Sequence, residues 1–299
     1  MKPRVSPYLQ MVLATMLFAA MGVCVKFASP DFGTAAVVSA RGTVGAIMMG
    51  LIAWASATSL RTPVPMLHVR RGLAGVTALS MWFYAMAQLP LATSVTLNYM
   101  SSVWMAVFLL LQAAFLGGQR VDPRIVVAIA VGFGGVALVL HPTLDRDQMG
   151  AGLIGLASGM LSATAYLQVS ALGKAGEPEI RVVFYFSLMG ALLGALTWLI
   201  PGQASPKPFA EIPLHSWLAL LGVGGFATIA QLLMTRAYST GNTLVIANLQ
   251  YLGIVHAGLL GTWLFHEGLK FDAILGMILI VSSGMVSTRL KSAAPARES

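Results

Sequence analysis

Two basic residues, Lys26 and Arg41, stand within long apolar stretches. A charged side chain at the centre of a membrane costs about 3 kcal/mol or more, so such a residue marks a functional site by default. Each has two readings. Lys26 either attracts a substrate carboxylate or snorkels along its long stem to the outer interface. Arg41 either anchors a carboxylate or plays a structural part, capping backbone carbonyls or pairing with Asp31. No Asp or Glu falls deep in an apolar stretch: Glu267 ends one, and Glu177 and Glu179 share a loop. A carrier of cationic drugs needs a buried carboxylate, both to hold the cation and to carry a proton. The pattern therefore argues against a multidrug-cation antiporter. His256 is the only deep histidine; it could titrate near neutral pH, and its plainer reading is a packed contact between helices.

A second set is polar but uncharged. Asn98, Tyr99 and Ser102 fall on adjoining turns of one stretch, and Asn248, Gln250 and Tyr251 occupy the matching place in another. Tyr84, Tyr166 and Gln231 stand in three further stretches. In lipid, Asn and Gln need partners, either on neighbouring helices or in a water-filled cavity. Tyrosine adds an apolar face and a hydroxyl. The set suits a neutral zwitterion with an apolar side chain, or else it hydrogen-bonds helices to one another; both readings stand.

The elements that must hold these residues are membrane helices. The chain has 299 residues, of which 57% are hydrophobic and 9% charged, with a mean hydropathy of +0.81. A soluble domain carries about 25% charged residues, so most of this surface cannot face water. An ordinary cytosolic enzyme, a nucleic-acid-binding domain and a disordered protein are excluded. The net charge of +8 comes from short clusters between apolar runs rather than from a patch. A single cysteine, Cys24, permits no intrachain disulfide, and no Cys/His spacing suggests zinc. No cofactor is expected.

A helix needs about 20 residues to cross the hydrocarbon core. Dividing the chain at Pro, Gly and charges predicts ten spans, at roughly 8–28, 33–56, 70–88, 92–115, 124–141, 150–173, 180–200, 213–235, 243–265 and 271–288. The first reads as an uncleaved helix, not a signal peptide. With both termini inside, thirteen Lys and Arg fall in cytoplasmic segments, Arg70 and Arg71 among them, against four outside. That asymmetry predicts an N-in, C-in orientation. Setting Ala85 against Ala237 aligns Leu97 with Leu249, Tyr99 with Tyr251 and Val103 with Val255. Two five-span repeats follow, 1–144 and 145–299. Because five is odd, the second enters the membrane from the opposite side, an inverted topology typical of secondary transporters. The glycines of spans 5 and 10, including Gly132, Gly134, Gly135, Gly276 and Gly284, read as close-packing sites.

Over residues 8–288 the chain resembles the ten-helix EamA-type exporters of the drug/metabolite transporter superfamily. Trp82 to Trp104, Tyr238 to Glu267 and the Gly-rich spans 5 and 10 carry the resemblance. Within that family it looks closest to bacterial amino-acid exporters of the YddG type. It departs from the family where span 4 ends Gly118-Gln119, where span 9 ends His266-Glu267, and where Gly253 stands in place of a common Pro. The resemblance implies a central cavity lined by spans 1, 3, 4, 6, 8 and 9, and export of small metabolites across a bacterial inner membrane. The polar residues above lie on those spans, and Trp82, Trp104 and Trp263 could join them; for Trp82 and Trp263 the alternative is an interfacial belt.

The expected protein is therefore an all-α integral membrane exporter of amino acids or similar zwitterions, working by alternating access. Its partners are a small-molecule substrate and the lipid bilayer, not nucleic acid, and a monomer suffices although a dimer is possible. A carrier of anionic metabolites or nucleotide sugars is the alternative; it calls for more convergent Lys and Arg than these one or two. Membrane enzymes need paired acids, a Ser-His pair or a metal cluster, and none is found. No phosphate-binding Gly-rich Lys motif is present, so transport is either facilitated or coupled to a gradient.

Overall fold

Proline starts many of the helices. Pro7, Pro65 and Pro123 open theirs, where the missing N–H would have no partner in any case. Pro90 and Pro178 stand just before two others. The computed structural model describes residues 6–101, 103–104, 107–108, 111, 123–140, 148–200, 207–240 and 249–293. Among them are α1 (Pro7–Ala55), α2 (Pro65–Gln88), α3 (Leu91–Tyr99), α4 (Pro123–Leu140), α5 (Met149–Lys174), α6 (Glu179–Trp198), α7 (Leu214–Thr240), α8 (Leu252–Phe265) and α9 (Phe271–Ala293), with one 3₁₀ turn and no strand. Ser102 and Asn248 lie outside the described residues.

The first two expected spans are two helices that meet at a kink at Gly33 without an intervening loop, and both are included in α1. A loop was expected at 29–32, but the helix runs through it and breaks at Gly33 (φ 74°, ψ 161°), a left-handed position that favours glycine. Pro30, inside the helix, cannot donate to the Lys26 carbonyl and loosens the turn before the break. At 49 residues and about 1.5 Å per residue, α1 is long enough for two crossings. Among the described residues four helices are long and apolar enough to span a membrane: α1, α5, α6 and the Leu214–Ala237 part of α7.

α1 packs mainly on α6 and α7, α2 on α5, and α4 on α9. The α1–α6 contact is backbone against backbone. A methyl added at Gly42 would fall 2.6 Å from Gly190 C and Ser187 O, and one at Gly194 would fall 2.7 Å from Ser39 Cα. Close packing of α4 on α9 is as expected at two glycines: a methyl on Gly135 would lie 2.7 Å from the Gly276 carbonyl, and one on Gly132 2.7 Å from Ser283 Oγ. Gly134 departs from that reading, because its open side has nothing within 4 Å. One core runs through the helices around Phe32, Phe83, Met86, Leu91 and Leu97. The outside is apolar too: Trp54 is 84% exposed, Phe271 76% and Trp263 73%. A soluble monomer rarely tolerates such a surface, whereas lipid does.

Glu177, in the α5–α6 loop, ties three segments together. It accepts from Thr62 Oγ1 (3.0 Å) and Arg181 Nη1 (3.0 Å) and meets His68 Nε2 (2.9 Å). Arg181 also donates to the Ser59 carbonyl, and Tyr185 to that of Leu60. Burial alone would raise the Glu177 carboxyl; hydrogen bonds from His68, Thr62 and Arg181 outweigh it and hold the group below the ordinary carboxylate range. A depressed folded-state value means stability that is complete above the unfolded value and lost as pH falls through the folded one. Acid unfolding of detergent-purified protein should therefore begin below the ordinary carboxylate range, near pH 4. Glu177→Gln should remove about 2 kcal/mol at neutral pH by taking away the charged acceptor that Arg181, Thr62 and His68 share and should flatten the acid limb of the stability curve. An unchanged acid limb would count against the cluster.

Candidate functional site

A cavity opens between the helices. Arg41 enters it from α1, Asn98 and Tyr99 from α3, Tyr166 from α5, Gln231 from α7, and Gln250 from the turn before α8. The structure thus brings together six residues singled out in the sequence. Phe18, Leu79, Trp82, Phe186 and Met234 supply apolar wall. Trp82 is a cavity residue and buried, whereas Trp263 faces outward.

Arg41 is 5% exposed. Its Nη2 donates to Gln231 Oε1 at 2.9 Å, joining α1 to α7. It does not pair with Asp31, which binds Lys207 (2.7 Å) and Ser216 Oγ (2.5 Å) instead. These two partners, Lys207 first, hold the Asp31 carboxyl below its ordinary value. Asn98 Nδ2 donates to Ser158 and Ser162 on α5 at 3.1 and 3.2 Å. Gly159, between those serines, lets α5 approach the α3 backbone: an added methyl would sit 2.7 Å from the Leu97 carbonyl. The Tyr166 hydroxyl hydrogen-bonds Gln250. Several of the polar residues thus both line the cavity and join helices, so the two readings of the set are not exclusive.

Three candidates stand elsewhere. Lys26 donates to the Leu89 carbonyl (2.9 Å) and pairs with Glu267, whose other oxygen accepts the Leu91 N–H at 2.7 Å. That carboxylate, at the start of α3, closes α1, the α2–α3 turn and the end of α8 around one charge pair. Tyr84 is 41% exposed on the outer face of α2. Tyr251 is buried behind Tyr99, ring to ring at 6.4 Å. His256 meets Thr15 Oγ1 at 3.3 Å, a helix contact as read.

The sequence reading missed Arg71. It was counted with Arg70 among cytoplasmic charges, yet Arg70 is exposed and Arg71 is 6% exposed and lines the cavity. Successive helix residues point about 100° apart, so one of such a pair can face inward. Gly75, one turn on, leaves room for the Arg71 guanidinium, which a side chain there would strike. Arg71 and Arg41 approach the same ring, Phe186, with guanidinium carbons 4.1 and 5.0 Å from its centroid. Among the described residues no Asp or Glu lines this cavity. Each cation–π contact offsets about 0.5–2 kcal/mol, less than the several kcal/mol that burying each ion costs. Arg41 Nε, Arg71 Nε and Arg71 Nη1 have no hydrogen-bond partner among the described residues. The site as it stands is short of negative charge.

Comparison with known proteins agrees with this architecture. Overall, the chain matches a crystal structure over 95% of its own length and 97% of the other's, with a TM-score of 0.65 and 21% identity. It is 30% identical to the pseudopaline exporter CntI of Pseudomonas aeruginosa, over 94% of this chain and 95% of that protein. It is 24% identical to a riboflavin transporter of Brucella anthropi (94% and 98%) and 22% identical to an S-adenosylmethionine uptake transporter of Rickettsia bellii (79% and 76%). The profile of the EamA-like transporter family matches residues 5–141 and again residues 149–289. The chain is a multi-pass membrane protein and a small-molecule transporter, and it belongs to the EamA-like transporter family.

Proposed function

We propose that the protein is a secondary transporter that exports amino acids or closely similar carboxylate-bearing metabolites across a bacterial inner membrane by alternating access. The observation that carries this reading is the cavity with a buried arginine, Arg41, amid amide, phenol and aromatic side chains. The guanidinium suits a carboxylate, and the surrounding Tyr, Phe and Trp suit an apolar body. Two successive matches to one family support two repeats, 1–144 and 145–299. With five spans each, these would be inverted about the cavity, with N- and C-termini inside. The name of the Pseudomonas relative supports export; those of the riboflavin and S-adenosylmethionine relatives warn that substrates differ within the family. A second reading, a carrier of anionic metabolites, draws support from Arg71, the second cation in the cavity.

The test is counterflow in liposomes holding the purified protein, with a panel of radiolabelled amino acids, dicarboxylates and nucleotide sugars. Saturable exchange of amino acids or their derivatives supports the reading. Exchange of nucleotide sugars alone, or of nothing on the panel by folded protein, sinks it.

A further inference from the structure

We propose that Arg41 and Arg71 form a two-cation clamp that selects substrates with two acidic groups over matched substrates with one. This deepens the proposed function and rests on it: the same cavity is assigned a charge class. Three observations converge. Both guanidiniums are buried, and both contact the one ring of Phe186. Both leave nitrogen donors unpartnered among the described residues: Nε of Arg41, and Nε and Nη1 of Arg71. Two buried acids elsewhere in the fold are already engaged, Asp31 by Lys207 and Ser216, Glu177 by His68, Thr62 and Arg181.

The two arginines are not equivalent. Arg41 is steadied by its bond to Gln231, which leaves it fixed for a carboxylate common to all substrates. Arg71 comes from a different helix, α2, over a glycine that clears its path. A substrate with one carboxylate satisfies Arg41 and leaves Arg71 buried and uncompensated. A substrate with a second carboxylate answers both charges. Guanidinium forks match planar carboxylates in two parallel hydrogen bonds, so the preference is for carboxylates rather than for negative charge of any shape.

The experiment uses pairs that differ only in charge, glutamate against glutamine and succinate against succinamate. Each competes with the best radiolabelled substrate in liposomes carrying wild type, Arg71→Gln or Arg71→Lys. In the wild type the member of each pair with two carboxylates should compete roughly 30-fold better than its monoamide, the ratio expected when one partner of a buried charge pair is lost. In Arg71→Gln the ratio should fall to about threefold or less. In Arg71→Lys part of the preference should remain. Equal competition within each pair for the wild type overturns the clamp, as does an unchanged ratio in folded Arg71→Gln. If Arg71→Gln does not fold, the wild-type and Arg71→Lys ratios decide. A folded wild type that exchanges no carboxylate at all defeats the parent reading instead, so the two failures are distinct.

Discussion

Arg41→Gln is expected to cut the exchange of every carboxylate substrate, with one acidic group or two, by roughly 30-fold or more. The substitution keeps a side chain of polar character beside Gln231 and removes only the charge. What would be lost is the cation proposed to meet each substrate's carboxylate, held in place by a 2.9 Å bond to α7. The protein should remain folded, because Arg41 has no carboxylate partner among the described residues to strand and its removal relieves the burial of one ion. Counterflow measured beside a thermal unfolding curve checks both halves. Transport that survives in folded Arg41→Gln would leave the cavity in place and take away its anchor. The contrast with Arg71→Gln matters: one variant should lower all fluxes together, the other should change the ratio between them.

The second large effect is on folding. Gly42→Ala adds one carbon where α1 meets α6, 2.6 Å from the Gly190 carbonyl carbon and the Ser187 carbonyl oxygen. The obstruction is backbone, which cannot swing aside as a side-chain tip can. The helices must separate, at a cost of about 3 kcal/mol or more. Gly134→Ala is the internal control. It lies in a helix with open space beside it, so it should be neutral or stabilising by up to about 1 kcal/mol through helix propensity. Thermal unfolding of the two variants in one detergent compares them directly. Equal melting temperatures would mean that the α1–α6 contact is looser than the geometry states.

These two glycines also mark what a sequence can and cannot say. Gly134 and Gly135 are adjacent and look alike, yet one packs on Gly276 and the other faces open space. Their difference is a rotation of about 100°, visible only once the partner helix is known. The same holds for Arg70 and Arg71. Counting charges by side of the membrane absorbed both, and only the packing of α2 on α5 turns one of them inward. Arg41, Asn98, Tyr166 and Gln231 were legible because lipid leaves a polar group in mid-helix few alternatives. Lys26 was ambiguous for the converse reason: a long stem near a helix end reaches many partners, and its actual one, Glu267, lies 241 residues away. Apolar helices were plain from composition. The continuity of α1 through 29–32 was not, because Pro30 and Asp31 look like a loop until Gly33 takes the bend.

The two arginines of the cavity also bear on energetics. A carrier that favours anions does electrical work whenever it turns over. Across an inside-negative membrane, each net negative charge leaving the cell gains about 2.3 kcal/mol per 100 mV. A dianion moving outward therefore releases twice that, enough to expel it against a concentration ratio of more than a thousandfold at 100 mV. The voltage itself can then drive outward movement with no ion exchanged, and the current it carries is its direct signature.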